Sequence, residues 1–116
     1  PYGNSVGHLV LHLTGNLNHY IGAQIAGTGY VRDREREFTE PAKRPKAEVL
    51  SDFGDAVTMV FQTLEAQTAE SLVLAPHETE RADFDTRFGV LFHCVSHLNH
   101  HVGQMIYLEK ELTRAR

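Results

Sequence analysis

Histidine is the residue type whose number and spacing point to chemistry in this sequence. There are eight histidines in 116 residues, and seven of them fall in two short segments. Three lie between His8 and His19, and four lie between His93 and His101. Because the neutral imidazole is the commonest metal-binding side chain, these two segments predict a metal centre.

The second segment contains a pair of histidines one helical turn apart. His97 and His101 are four positions apart, and on a helix that advances about 100° per residue they lie within about 40° of each other. They share this face with Val90 and Cys94. A buried ring nitrogen without a partner costs about 1–3 kcal/mol, and Cβ atoms four residues apart are separated by about 5–6 Å. We therefore expect both rings to converge on one cation.

A third ligand is expected from another helix, because a catalytic zinc-type centre commonly has about three protein ligands and an open position. His12 is the best candidate, since it lies in the middle of the first segment between Leu11 and Leu13. It stands at the edge of the apolar stripe of its helix, so it reaches the site only if a neighbouring helix covers that edge. The predicted metal ligands are His12, His97 and His101.

Other residues near these ligands are predicted to support the site rather than to bind the metal. His93 and His100 lie on the flank of the same helical face. Gln104, one turn beyond His101, is expected to hydrogen-bond a ligand ring or to orient a bound species. Cys94 is predicted to be a small buried apolar residue, as free cysteines usually are.

The composition excludes several classes of protein. Eleven basic and fifteen acidic residues give a net charge of −4, which argues against a nucleic-acid partner. No apolar run approaches the ~18 residues that span a bilayer, and no signal-peptide pattern is present, so we expect a cytoplasmic protein without a membrane partner. The single Cys94 excludes an intramolecular disulfide. Leu98 follows His97 where a His-Glu-x-x-His protease needs its glutamate, which disfavours that mechanism.

Three stretches in which apolar residues recur at three- and four-residue steps predict the helices that position these side chains. The predicted helices cover about residues 4–25, 45–67 and 87–112. Asn4 or Ser5 is expected to cap the first helix, and Asp85 or Thr86 the third.

Two connections, residues 31–45 and 68–83, separate these helices. Both are polar or charged and contain proline, which is typical of irregular structure. The run from Arg32 to Glu37 balances three arginines with three carboxylates, and it predicts a solvated loop.

No segment shows the alternation of a strand, so the sequence predicts an all-α fold in which residues 1–116 form a single helical-bundle domain. Three amphipathic helices leave one side of a bundle open. A fourth helix normally closes such a seam, and we expect it either upstream of Pro1 in a longer chain or from a second subunit.

Three stretches of the sequence resemble the DinB-like family, which includes YfiT-like proteins. These stretches are NSVGHLVLHLTGNLNHYI, VRDREREF and HCVSHLNHHVGQMIYLEK. In that family one metal-binding histidine lies in a motif similar to LxxHLxGN, and two lie in an ending similar to HxxxHxGQ. The corresponding residues are His12 in LVLHLTGN, and His97 and His101 in HLNHHVGQ.

The resemblance has further implications for the fold, the cofactor and the partners. It implies a four-helix bundle with a long crossover connection, whose first helix would precede the present sequence. It also implies a divalent metal ion, most often zinc or nickel, and a homodimer. Some relatives are transferases that use a low-molecular-weight thiol such as bacillithiol or mycothiol.

These observations favour a metal-dependent thiol S-transferase acting on a small-molecule substrate. Three neutral imidazoles leave a cation its full charge, so a thiol bound there becomes a nucleophile at neutral pH. Metal-dependent hydrolysis at the same centre is an alternative. A second alternative is a non-catalytic, metal-binding or stress-associated bundle, in which a fourth protein ligand closes the site. A third is a metal-free histidine core that loosens as the pH falls.

Overall fold

The structure of the protein is a computed structural model that describes residues 5–39, 44–77 and 84–114. Its helices are α1 (Val6–Leu17), which continues as a π-helical segment (Asn18–Ala26), α2 (Arg36–Thr39), α3 (Lys46–Glu65), α4 (Ala69–Leu72) and α5 (Arg87–Thr113). The described residues contain no strand. The prediction of an all-α fold is therefore confirmed.

The helix α1 and the π segment together form the first predicted helix. Ser5 caps it, because its hydroxyl accepts a hydrogen bond of 3.0 Å from the backbone N–H of His8. The π segment ends at Gly27, whose φ of 70° is a left-handed conformation that glycine adopts without steric cost. The sequence predicts this end but not the change from α to π at Asn18. An apolar repeat of three and four residues does not distinguish the two hydrogen-bonding patterns.

The second and third predicted helices correspond closely to α3 and α5. Thr86 caps α5 by accepting a hydrogen bond of 3.0 Å from the backbone N–H of Gly89. The short helices α2 and α4 lie in the two predicted connections, and the sequence does not predict them because four residues are too few to show an apolar period. The candidate cap Asn4 and the parts of the connections at 40–43 and 78–83 lie outside the described residues.

The helix α1 lies in the middle of the fold, where it packs against both α3 and α5. Ring contacts give the direction of α5 relative to α1. His12 lies beside His97, and Tyr20 lies beside Phe84, which is nearer to the start of α5. The two helices therefore run antiparallel. The buried core between the elements consists of Leu17, Ile21, Ile25, Ala56, Phe84, Val90 and Cys94.

An apolar groove of about 190 Å³ separates α3 from α5. Within the described part of the chain these two helices do not approach each other within 8 Å at their Cα atoms. Phe53 and Phe61 of α3 and Leu98 of α5 are among the residues that line the groove, and Phe61 is 61% exposed. The groove corresponds to the open side of the bundle that a three-helix pattern predicts.

Across residues 5–39, 44–77 and 84–114, none of the helices combines the length and the apolar character that crossing a membrane requires.

Candidate metal centre

The three predicted ligand histidines meet between α1 and α5. His12 comes from α1 and is only 3% exposed, whereas His97 and His101 come from one face of α5 and are half-buried. Nε2 of His97 lies 2.9 Å from Nε2 of His12 and 3.0 Å from Nε2 of His101. The three side chains form a group that can hold a metal ion. Two nitrogens that each lie about 2.0–2.1 Å from one cation are themselves about 3 Å apart, which is close to the distances between these Nε2 atoms.

The other ring nitrogen of His12 faces a carboxylate. Nδ1 of His12 lies 2.8 Å from Oε1 of Glu37, and both side chains are buried. Glu37 is carried by the four-residue helix α2, which packs against α1. A carboxylate accepts hydrogen bonds only, so this contact places the proton of a neutral His12 on Nδ1. The lone pair of His12 is then on Nε2, which faces the other two rings.

Arg32 also binds the carboxylate of Glu37. Its Nε donates to Oε2 at 2.8 Å, and its Nη2 donates to Oε1 at 2.9 Å. Nη2 also lies 3.2 Å from Nδ1 of His12. This contact is longer than the other two because Nη2 and Nδ1 both direct their hydrogens at the same oxygen, Oε1 of Glu37.

Gln104 has the same relation to His101. Nδ1 of His101 lies 2.6 Å from Oε1 of Gln104, one turn further along α5. The amide oxygen accepts the Nδ1 hydrogen, so the lone pair of His101 is also on Nε2. The predicted hydrogen bond between Gln104 and the ring of His101 is present. His97 differs, because its Nδ1 is buried and has no hydrogen-bond partner among the described residues.

The three imidazoles have too few hydrogens to satisfy all three Nε2 atoms by hydrogen bonding among themselves. With their protons on Nδ1, His12 and His101 both direct a lone pair at Nε2 of His97. A neutral His97 has one N–H to donate, so a single hydrogen cannot satisfy both lone pairs. A cation placed among the three nitrogens accepts all three lone pairs. The residues present therefore fit a metal ion.

The ring nitrogens are available as ligands at neutral pH. Burial lowers the pKa of His97 to about 4, and the neighbouring His101 and His12 add to this effect. Burial also lowers the pKa of His101, although the hydrogen bond to Gln104 opposes the change. Both rings are therefore neutral at pH 7, and neutral imidazole is the form that binds a metal.

The carboxylate of Glu37 stays ionised. Burial alone raises its pKa, but the hydrogen bonds from His12 and Arg32 outweigh that effect and lower the pKa from its usual value of 4.5. Its negative charge is balanced by the positive charge of Arg32. The prediction that Arg32 to Glu37 form a solvated loop is therefore wrong for these two residues. In each of them less than a tenth of the side chain is exposed.

The backbone of α1 leaves room for the Glu37 carboxylate at Gly15. A Cβ atom at this position would overlap Oε2 of Glu37. The ring of Phe38 lies 4.8 Å from that of His12 and covers a further side of the site. Sequence reasoning missed Glu37 and Arg32 because no apolar period connects them to His12. The available signal was the stretch VRDREREF, one of the three that resemble the DinB-like family.

The remaining candidate residues lie beside the centre. The ring of His93 stacks on that of His97 at 5.8 Å, and the ring of His100 lies 5.1 Å from that of His101. Neither belongs to the group that can hold a metal ion. Cys94 is 2% exposed, and burial raises the pKa of its thiol to about 12. It is a neutral core residue, as predicted.

Comparison with known proteins places the chain in a family. The model of a family described as "Protein of unknown function (DUF1572)" matches residues 1–116. The chain belongs to this family. No curated protein and no solved structure gives a significant match.

Proposed function

We propose that this protein is a DinB-like metal-dependent enzyme in which His12, His97 and His101 bind one divalent cation, zinc or nickel. The observation that carries the proposal is the convergence of the three Nε2 atoms, with contacts of 2.9 and 3.0 Å. The Nδ1 atoms of His12 and His101 are engaged elsewhere, by Glu37 and Gln104. Their free lone pairs point to a shared cation and not to hydrogen bonding between the rings.

A cation bound by these three histidines alone would keep a coordination position open, which favours a catalytic centre over a structural one. Structural zinc sites are usually closed by four protein ligands. In the described part of the chain, the group of potential ligands consists of three histidines and includes no fourth histidine, cysteine, aspartate or glutamate. His97 and His101 are half-buried. This arrangement supports access of a small molecule to the remaining positions.

We infer that the reaction is the transfer of a low-molecular-weight thiol to a small electrophile. His12, His97 and His101 would hold a divalent cation through neutral imidazoles, and the cation would then keep its full charge and would lower the pKa of a coordinated thiol. The thiol sulfur forms a bond to the electrophilic carbon, the leaving group departs with the electron pair, and the thiol proton passes to solvent. The histidines hold their rings in place throughout, and Gln104 orients the ring of His101 through its hydrogen bond of 2.6 Å.

A thiol-transfer assay tests this function. Metal-stripped protein is reloaded with zinc or with nickel, mixed with bacillithiol or mycothiol, and supplied with an alkyl halide whose consumption is followed. We expect turnover that disappears in His101→Ala and is retained in the matched control His77→Ala, since His77 is exposed. Turnover of an ester in the absence of thiol, with no thiol transfer, would instead support a metal-dependent hydrolase.

We also propose that the protein forms a homodimer through an outward stripe of α5. Phe88, Phe92, Val95, Val102 and Ile106 are all exposed. Together with Asn99 they follow alternating steps of four and three residues, the spacing of helices that pack side by side. These five apolar side chains are between 38% and 66% exposed, so two copies of the stripe would cover each other's apolar surface in a symmetric pair. Asn99 lies near the middle of the stripe, where it can meet its own copy across a two-fold axis.

A further inference from the structure

The pair formed by Arg32 and Glu37 has no assigned role in the proposed thiol transfer. Burial of two charged side chains is expensive unless they are paired and hydrogen-bonded. Here the two residues make hydrogen bonds of 2.8 and 2.9 Å with each other, and Glu37 makes a further contact of 2.8 Å with His12. The network ends at His12, a proposed metal ligand. We therefore relate the burial of these two charged side chains to the metal centre.

The surroundings of Glu37 fix the position of its carboxylate. Gly15 of α1 provides the space for Oε2, and any larger residue there would overlap it. Arg32 binds both carboxylate oxygens, one through Nε and one through Nη2. Such a two-point contact defines the orientation of the carboxylate as well as its distance. Oε1 is thereby directed at Nδ1 of His12.

We propose that Glu37 and Arg32 are positioning residues that fix His12 in the tautomer with its proton on Nδ1. This inference rests on the proposed metal centre. An ionised carboxylate can only accept a hydrogen bond, so it selects the Nδ1–H form of the neutral ring. Nε2 of His12 is left with a lone pair that points at Nε2 of His97, 2.9 Å away.

Arg32 has a second effect on the centre. Its positive charge cancels the negative charge of Glu37, so the two residues together add no net charge beside the three imidazoles. A bound divalent cation then keeps its full charge for the activation of a coordinated group. Without Arg32, Glu37 would instead place an uncompensated negative charge beside the His12 ring, on the side away from the metal. The pair thus orients His12 without reducing the positive charge at the metal centre.

Nitrogen NMR of the histidine rings tests the tautomer directly, without metal. Metal-free protein labelled with ¹⁵N on its histidines is measured at pH 7.5, and the signals of His12 are assigned from their loss in His12→Ala. We expect the Nδ1–H form of His12 in the natural sequence. In Glu37→Ala we expect a shift towards the Nε2–H form, whereas Glu37→Gln, whose carbonyl still accepts, should keep Nδ1–H.

Zinc affinity is measured on the same variants. Loss of the hydrogen-bond partner of a ligand histidine typically lowers metal affinity by about 10- to 100-fold. We expect a decrease in this range in Glu37→Ala, a smaller one in Glu37→Gln, and none in the matched control Glu35→Ala, an exposed residue of the same connection. Far-ultraviolet circular dichroism checks that each variant is folded. If Glu37→Ala does not fold, Glu37→Leu replaces it, because leucine is similar in size to glutamate and cannot accept the hydrogen bond.

The outcomes separate this inference from the proposed function. Nε2–H at His12 in the natural sequence, or Nδ1–H retained in Glu37→Ala with unchanged zinc affinity, would overturn the positioning role. Nδ1–H at His12 that depends on Glu37, in a protein that binds no zinc, would support the positioning role and contradict the metal centre.

Discussion

At the scale of single residues, each candidate ligand histidine is oriented by the contact that its second ring nitrogen makes. Glu37 accepts from His12 and Gln104 accepts from His101, so both rings direct a lone pair inwards. His97 receives both lone pairs, at 2.9 and 3.0 Å, while its own Nδ1 is buried without a partner among the described residues. His97 is therefore the ring that would gain most from a cation in the site.

The lowered pKa of His97 predicts a loss of stability in acid for the metal-free protein. Its folded-state pKa of about 4 is below the usual value of 6.5, so the unfolded chain binds the proton more readily. The stabilising contribution is complete above about pH 6.5 and is lost as the pH falls towards 4. His101, whose pKa is also lowered, acts in the same direction.

Urea unfolding of metal-free protein between pH 7.5 and 4 measures this effect. The free energy of unfolding should fall across the window, and the fall should be smaller in His97→Gln, whose side chain does not titrate. The exposed His77 provides a control, since His77→Ala should leave the pH dependence unchanged. A free energy of unfolding that stays level from pH 6.5 to 4.5 would contradict the burial of a neutral His97.

At the scale of elements, the site is formed by one face of α5, by α1 and by the short helix α2. His97 and His101 of α5 are four residues apart, so their convergence could be predicted from the helical period of the sequence. The place of His12 in the site depends on a second element, because His12 lies at a stripe edge that becomes buried only when another element covers it. The four-residue helix α2 supplies that cover, with Glu37 and Phe38 beside the ring.

The contribution of α2 could not be predicted from local sequence. Arg32 and Glu37 lie in a stretch with balanced charge and no apolar period, which is also the pattern of a solvated loop. Their burial is caused by a contact 25 residues away in the chain, between Glu37 and His12. Pairing with Arg32 is what allows the carboxylate to be buried, and neither fact is visible in the residue types alone.

Gly15 provides a test of the packing between α1 and α2. Replacement of a glycine within a helix by alanine normally raises the free energy of unfolding by about 0.5–1 kcal/mol. Gly15→Ala should instead lower the free energy of unfolding by about 1–3 kcal/mol, because the new Cβ atom displaces the Glu37 carboxylate. Zinc affinity should fall with it.

Gly7 is the matched control on the same helix. A Cβ atom there would meet only the Ser5 hydroxyl, at an ordinary contact distance of 3.7 Å. Gly7→Ala should therefore leave zinc affinity unchanged and stability equal or slightly higher in urea unfolding. Equal effects of the two substitutions would show that Glu37 does not occupy the space beside Gly15.

At the scale of the whole molecule, the histidine site and the apolar groove are formed by different pairs of helices. The site uses the contact between α1 and α5, whereas the groove separates α3 from α5. The sequence predicted an open seam, because three amphipathic helices cannot enclose one another. The occupant of that side could not be predicted, since the apolar period of a helix does not identify its partner.

The proposed homodimer predicts a concentration-dependent assembly that depends on the outer stripe of α5. Phe92 and Val95 are 66% and 60% exposed, so a glutamate in their place should leave the fold of the single chain intact. In sedimentation experiments the natural sequence should form a dimer, and Phe92→Glu and Val95→Glu should sediment as monomers. Tyr107→Glu is a control, because Tyr107 is 79% exposed and lies outside the stripe. A natural sequence that remains monomeric at high concentration would exclude this interface.

Calorimetric titration of zinc into metal-stripped protein at pH 7.5 measures whether three imidazoles bind one metal ion. We expect one zinc per chain for the natural sequence and for His100→Ala, an exposed neighbour of the site. Binding at this stoichiometry should be lost in His12→Ala, His97→Ala and His101→Ala. Absence of zinc binding by the natural sequence, or retention of the full stoichiometry in any of these three variants, would contradict the binding of one metal ion by these three imidazoles.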